Sequence, residues 1–205
     1  MLRTALAGLR AHRLRLLLTS LAIMLGVGFI AGTFVLDDTI QAGFARKVTA
    51  DAGKVDVAVL PKDHGGVLPE EVLDRVRAVA GVAEAHGLVR APAPLLGKDG
   101  RAVGSRPTTA VSIVRGPLDR TTIVAGTGPG TDDQAAVLDE NTARNEGFRL
   151  GDTITVLGHD QREHRFRLVG LLDPGVDQEL AFTGAVGFTT ATAQRVTGAK
   201  GYREI

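Results

Sequence analysis

An uncharged apolar run near the start of the chain limits what the rest can fold into. Residues 16–36 read LLLTSLAIMLGVGFIAGTFVL and contain no charged side chain. About 21 helical residues rise about 31 Å, which matches the hydrocarbon core of a bilayer, about 30 Å thick. The hydroxyl groups in the run can bond to carbonyl oxygens of the same helix. The run therefore predicts a transmembrane helix, with the buried helix of a soluble protein as the alternative.

The charges on either side of the run predict its orientation. Asp37 and Asp38 follow the run, and no acid precedes it. The preceding segment instead carries Arg3, Arg10, Arg13 and Arg15. Because basic residues stay on the cytoplasmic side, we expect the N-terminus inside the cell and the residues after 37 outside it. A cleaved signal peptide is the alternative, but its apolar core would be shorter and an A-x-A site would follow closely.

Periodicity and turn residues divide the chain into four expected segments. Ile40, Phe44 and Val48 continue the helical period beyond the run, and Gly53 interrupts it, which predicts a helical stalk above the membrane. The expected boundaries are 1–15 for a cytoplasmic amphipathic segment, 16–36 for the transmembrane helix, 37–54 for the stalk and 55–205 for an extracytoplasmic domain.

Three glycines mark the candidate contact surface of the membrane helix. Gly28 and Gly32 form a G-x-x-x-G pair, and Gly26 adds a third small residue. Small residues let a second helix approach closely in lipid, where packing drives association. We therefore predict Gly26, Gly28 and Gly32 as helix-packing positions.

The first half of the external region reads as mixed α and β structure. Val55, Val57 and Val59 alternate with other residues and predict a strand, whereas residues 116–130 read as a loop. Asp99-Gly100 is a strong hairpin turn. The other expected elements are a helix that begins at Pro69 and is closed by Gly81, and a strand pair of residues 87–96 and 102–114.

The second half has sharper local signals, which predict strands at 135–138, 153–157, 164–172 and 185–189 and helices at 140–146 and 190–196. Asp139 can cap the first helix and Gly147 can end it. Gly147 and Gly151 suit chain reversals that need positive φ, and Asp152 can accept bonds from turn amides. We expect this block to be structural rather than catalytic, with strand 153–157 beside Val137-Leu138.

Composition and motifs give no support to an enzyme, a metal site or a nucleic-acid site. Without the four arginines before residue 36, the chain has 24 − 4 = 20 basic against 23 acidic residues, so it lacks a basic stripe for nucleic acid. Cysteine is absent, as are a P-loop and a nucleophile elbow. His159 and His164 are separated by an expected turn. We therefore predict no catalytic, cofactor-binding or metal-ligating residue.

A block in the second half resembles the extracytoplasmic domains of MacB/FtsX-like ABC transporter permeases. It consists of Val137-Leu138-Asp139-Glu140, Thr142-Ala143-Arg144, Gly147, Leu150-Gly151-Asp152 and Ile154-Thr155-Val156. Residues 166–171 are similar to the strand that follows it in the family. Residues 7–15 and the glycine-containing span resemble the family's N-terminal membrane helix.

The resemblance implies an α+β fold: one N-terminal transmembrane helix followed by a mixed α+β extracytoplasmic domain. It also implies a bacterial cell-membrane protein, the front portion of a permease for an ABC-type exporter or lipoprotein-handling complex. The family has three further spanning helices and an ATPase contact between them, so we expect residues 55–205 to be incomplete and the ATPase to bind parts absent from this chain. The other expected partners are permease helices or a second copy, and the bilayer. The alternatives are a single-pass binding or sensor protein and a membrane-anchored hydrolase.

Overall fold

A computed structural model describes residues 13–52, 54–63, 65–175 and 178–205. The chain divides into two compact units, Met1–Val48 and Thr49–Ile205. The helices are α1 Arg13–Ala52, α2 Glu70–Arg77, α3 Glu140–Glu146, α4 Gln178–Thr183 and α5 Thr190–Thr197. The strands are β1 Arg90–Pro92, β2 Leu95–Leu96, β3 Thr109–Ser112, β4 Thr122–Gly126, β5 Ala135–Asp139, β6 Thr153–Leu157, β7 Glu163–Asp173 and β8 Ala185–Phe188.

Helix α1 runs without interruption through the apolar run and beyond it. Residues 13–37 form a helix that is long and apolar enough to cross a membrane. The hydroxyl of Thr19 donates to the carbonyl oxygen of Arg15 at 2.8 Å, and that of Thr33 donates to Phe29 at 2.9 Å. These two hydroxyls are thus satisfied by the helix's own backbone, as expected. The amphipathic segment before residue 13 and the expected helix breaker Gly53 lie outside the described residues.

The eight strands of the second unit form one sheet in the order β1-β3-β8-β5-β7-β6-β2, with β4 also paired to β7. The long strand β7 organises this sheet. Strand β5 runs parallel along one of its edges, while β6 and β4 pair antiparallel with the first and last parts of its other edge. The remaining strands extend from this centre on either side.

The two ends of the strand order belong to one stretch of chain, because Ala93 and Pro94 connect β1 to β2. Ala93 N donates to the carbonyl oxygen of Thr108, and Leu157 N donates to that of Pro94, both at 2.8 Å. The buried hydroxyl of Thr108 accepts from Leu95 N at 2.8 Å and donates to the Ala93 carbonyl oxygen. The two ends of the strand order are therefore continuous, and the sheet closes on itself.

Apolar side chains cover both faces of the central strands. The larger cluster includes Leu138, Phe166, Leu168 and Phe188, and the rings of Phe166 and Phe188 lie 4.7 Å apart between centroids. The smaller cluster contains Val137, whose side chain points to the opposite face from Leu138. Every residue of β5 is buried, as expected for a strand that is covered on both faces.

Most local predictions for the second half are confirmed. Strand β6 and helix α3 have the expected bounds. Elements β5, β8 and α5 differ from the predictions by one residue at one end, and β7 is one residue longer at each end. Asp139 caps α3, Gly147 ends it in the left-handed conformation, and the Asp99-Gly100 turn is present, with Gly100 at φ 77°. Each of these features depends on contacts within a few residues.

Three predictions are wrong, and each concerns pairing over long range. Residues 55–59 form no strand; instead Val59 pairs through its backbone with Ile205. The stretch expected to be a loop, 116–130, contains β4, which is held by the distant strand β7. Strands β5 and β6 are not neighbours, because β7 lies between them. In each case the partner that decides the structure is far away in the sequence.

Candidate functional site

The three predicted packing glycines lie on two sides of helix α1. At about 100° per residue, Gly28 and Gly32 are about 40° apart around the axis, whereas Gly26 is about 160° from Gly28. Among the residues that the structure describes, none lies within 4 Å of a Cβ built at any of the three. Gly28 and Gly32 therefore form one shallow face that is open to a second helix, and Gly26 belongs to the opposite side.

The carboxylate of Asp139 has a structural role. Its side chain is 2% exposed. One carboxylate oxygen, Oδ1, accepts from Thr142 N at the start of α3, and the other, Oδ2, accepts from Ala185 N at the start of β8, both at 2.9 Å. The carboxylate thus joins three elements, and both oxygens are engaged by backbone amides.

Asp152 has a similar role at the turn before β6. Gly151 adopts φ 91°, and the Oδ2 oxygen of Asp152 accepts from Arg149 N at 3.0 Å. The ammonium group of Lys98 lies 3.1 Å from the same oxygen and 2.7 Å from the carbonyl oxygen of Gly147. The bond from the Arg149 amide, followed by that from Lys98, lowers the pKa of the Asp152 carboxyl. The predicted turn bond is confirmed, and the carboxylate holds two loops together.

The two histidines singled out in the sequence make separate contacts. His164 Nε2 lies 3.1 Å from Asp160 Oδ1, and this bond is the main cause of the lowered pKa of Asp160. His159 Nδ1 lies 3.4 Å from the carbonyl oxygen of Val196. Within the described ranges, no group of three or more His, Asp or Glu side chains is arranged to hold a metal ion.

An open cleft of about 410 Å³ lies in the second unit. Its apolar part includes Ile113 and Leu172 of the smaller core cluster. Its charged lining consists of Arg90, Asp119, Arg120, Asp173, Arg203 and Glu204. Sequence reasoning missed this cleft, because its lining comes from six separate stretches of chain that no local pattern connects.

The charges of the cleft are balanced and largely engaged. Arg120 Nη2 lies 2.6 Å from Glu204 Oε1, and Arg203 Nη1 donates to the carbonyl oxygen of Gly66 at 2.9 Å. The carboxylates of Asp119 and Asp173 accept from the turn amides of Thr121 and Gly175 at 2.8 Å. The cleft can therefore receive an apolar group with polar ends, and its charged groups also fix the loops around it.

Two solved domains have similar folds. The extracellular domain of the noncanonic ABC-type transporter YknZ from Gram-positive bacteria matches with a TM-score of 0.50 and 13% identity, over 72% of this chain and 81% of that one. The periplasmic region of MacB from Actinobacillus actinomycetemcomitans matches with a TM-score of 0.50 and 14% identity, over 72% of this chain and 70% of that one. At these identities the likeness shows a shared fold. No curated protein matches the sequence.

The family comparison covers nearly the whole chain. The model of the MacB-like periplasmic core domain matches residues 16–204, a range that includes the apolar run as well as the closed sheet. The apolar helix and the match to a periplasmic core domain indicate a membrane-anchored protein with an extracytoplasmic domain. By its MacB-like periplasmic core domain, this chain belongs to the MacB/FtsX-like ABC transporter permease family.

Proposed function

We propose that this chain is the N-terminal portion of a permease in a bacterial ABC-type exporter or lipoprotein-handling complex. It couples the ATPase cycle of a cytoplasmic partner to motion of the extracytoplasmic domain. The observation that supports this most is helix α1, which continues from the membrane span to Ala52 without a break. The part beyond residue 36 adds about 24 Å of helix, enough to carry a displacement away from the membrane surface.

The proposed orientation places residue 13 in the cytoplasm and the sheet outside. It rests on the arginines before the span and the aspartates after it. The chain has no cysteine, so a single introduced cysteine reports the side of the membrane. In intact spheroplasts, a membrane-impermeant maleimide should label Val57→Cys but not Leu14→Cys, and both should react after permeabilisation. Labelling of Leu14→Cys alone in intact spheroplasts would reverse the topology.

Gly28 and Gly32 are the proposed contact face for another permease helix or a second copy. Leucine at either position fills the shallow face and should weaken association by about 1–2 kcal/mol, measured as energy transfer between labelled subunits in vesicles. Gly26→Leu is the matched control for the same chemical change on the opposite side of the helix. Unchanged association of both Gly28→Leu and Gly32→Leu would remove this face from the proposal.

Coupling through the stalk can be tested with a helix-breaking substitution. Ala42→Pro removes a backbone donor inside α1 and should kink it, at about 3 kcal/mol or more. In a complex reconstituted with its ATPase, we expect the ATP-dependent signal of a fluorophore on Val57→Cys to be lost, while ATP hydrolysis continues. Ala42→Ser keeps the helix and should keep the signal. A full signal in the proline variant would contradict coupling through α1.

A single-pass binding or sensor protein is the second candidate, and the open cleft is the observation that favours it. Such a protein would remain a stable monomer in the membrane and would not copurify with an ATPase. Recovery of the native protein with an ABC ATPase after mild solubilisation would support the permease instead.

A further inference from the structure

Residues 201–205 lie between two parts of the chain that are distant in sequence and are joined to both by isolated antiparallel bridges. On one side, Val59 and Ile205 exchange backbone hydrogen bonds at 2.6 and 3.0 Å, and Leu68 and Tyr202 exchange theirs at 2.7 and 2.8 Å. On the other side, Leu88 N donates to the Glu204 carbonyl oxygen at 2.8 Å, and Arg203 N donates to that of Leu88 at 2.7 Å. Leu88 leads directly into β1, so this segment connects the start of the unit to its sheet.

Side chains reinforce these backbone bonds. The Tyr202 ring is buried in the larger core cluster and packs so closely on Gly87 that a Cβ there would overlap it. A Cβ on Gly201 would likewise overlap the carbonyl oxygen of Leu68. Since Gly201 has no positive φ, its lack of a side chain matters here for close approach alone.

The stretch that follows α1 depends on these contacts. Residues 54–63 contain no helix or strand. Apart from the bonds to the 201–205 segment, Lys54 Nζ donates to the carbonyl oxygen of Asp119 at 2.7 Å, and the neighbouring Arg120 is paired with Glu204. An irregular stretch can extend until it spans about 3.5 Å per residue, so without these anchors it would absorb a helix displacement of several ångströms.

We propose that residues 201–205 form a tie that passes displacement of helix α1 to the sheet through Leu88. This inference rests on the proposed function, since it names the element that carries the motion. The tie makes the stretch from Val59 to Leu68 move with β1 instead of extending.

Single-molecule pulling on the full chain in bicelles tests the tie without an ATPase. Handles are attached at Asp56→Cys and Thr153→Cys, two exposed positions in a chain that lacks other cysteines. With the tie intact, we expect no extension before the sheet unfolds. In the Gly201→Ala background, we expect an early step, at most about 40 Å long, as residues 56–68 are released at lower force. Gly128→Ala, where an added Cβ has open space among the described residues, should behave like the parent.

Hydrogen exchange on the unsubstituted chain gives a second test that no folding defect can obscure. We expect the amides of Val59 and Leu68 to exchange within tenfold of those of the buried strand β5. The same early step in the parent, or exchange at Val59 and Leu68 more than 100-fold faster than in β5, would overturn the tie. Absence of an ATP-dependent signal from the reconstituted Val57→Cys complex that lacks the proline substitution would instead contradict the proposed function and leave the pulling result unaffected.

Discussion

Leucines in the two units occupy opposite environments. In helix α1, Leu18 and Leu25 are 59% and 65% exposed, whereas Leu138 and Leu168 in the sheet are fully buried. Exposing one such side chain to water costs about 1.5–3 kcal/mol, so a long run of them is stable only in an apolar solvent. The sheet unit creates its own apolar interior, and the helix requires the interior of a bilayer.

Polar groups show the same contrast. The hydroxyls of Thr19 and Thr33 bond to carbonyl oxygens four residues earlier, so the helix satisfies them locally. In the sheet unit, Asp139 reaches across 46 positions of sequence to the amide of Ala185. A membrane helix must satisfy its backbone within itself, whereas a domain in water can use distant partners. The following predictions test this difference between the units.

The largest effect is expected from a cavity in the sheet. Leu138→Ala should lower the free energy of unfolding of the external domain by about 2–5 kcal/mol, because the surrounding core cannot close the gap. Leu25→Ala should reduce the favourable free energy of membrane insertion by less than about 1 kcal/mol, since lipid tails fill the space. Chemical denaturation followed by circular dichroism measures the first, and membrane fractionation the second. Equal losses of free energy in Leu138→Ala and Leu25→Ala would contradict the proposed lipid environment of α1.

A charge in the span should impair insertion by a similar amount. Leu25→Lys places an ammonium group near the middle of the run and should cost about 3–4 kcal/mol in membrane insertion. Leu60→Lys, at an exposed leucine of the sheet unit, should have little effect on insertion or folding. A glycosylation-mapping insertion assay compares the two. Full insertion of Leu25→Lys would argue that this position faces a polar channel.

Removal of a hydroxyl should weaken the closure of the sheet. Thr108→Val keeps the shape of the side chain but leaves Leu95 N and the Ala93 carbonyl oxygen without their partner. We expect a loss of about 1–3 kcal/mol in unfolding free energy. Thr108→Ser retains the hydroxyl and should recover most of the stability. If the Thr108→Val protein is as stable as the parent, the hydroxyl does not stabilise the connection at Ala93 and Pro94.

The stability of the turn before β6 should depend more on the backbone conformation of Gly151 than on the charge of Asp152. Gly151→Val forces a branched residue into φ 91° and should cost about 1–3 kcal/mol, whereas Gly128→Val should be mild. Asp152→Asn keeps an acceptor for the Arg149 amide and gives up an exposed pair with Lys98, so it should lower the stability less than Gly151→Val does. A folded Asp152→Asn protein without activity would instead indicate a functional carboxylate.

The smallest effect concerns pH. Burial, followed by the charge of Glu70, raises the pKa of Tyr202 above the ordinary value of about 10. The neutral phenol therefore contributes stability that is complete below pH about 10 and is lost as the pH rises through the folded-state pKa. Tyr202 is the sole tyrosine, so absorbance at its phenolate band reports it directly. Tyr202→Phe should remove this contribution, and native ionisation at pH about 10 would contradict it.

Features that depend on contacts between residues close in sequence were predictable from the sequence, and features that depend on distant contacts were not. The cap at Asp139, the helix end at Gly147 and the bounds of β6 were predictable, since each depends on residues a few positions away. Strand β4 was missed because its short, glycine-containing sequence carries a weak signal, and β7 supplies its hydrogen bonds from more than forty positions away. The cleft was missed for the same reason.

Sequence alone determined the apolar span, its flanking charges and the local order of helices and strands, because bilayer thickness and backbone geometry act on consecutive residues. The tertiary structure decided which segments pair. It placed β7 between β5 and β6, closed the sheet at Ala93-Pro94, and placed the 201–205 segment between Val59 and Leu88. Such pairings gain their hydrogen bonds and buried area only when distant segments meet, and no local pattern records which partner a strand will find.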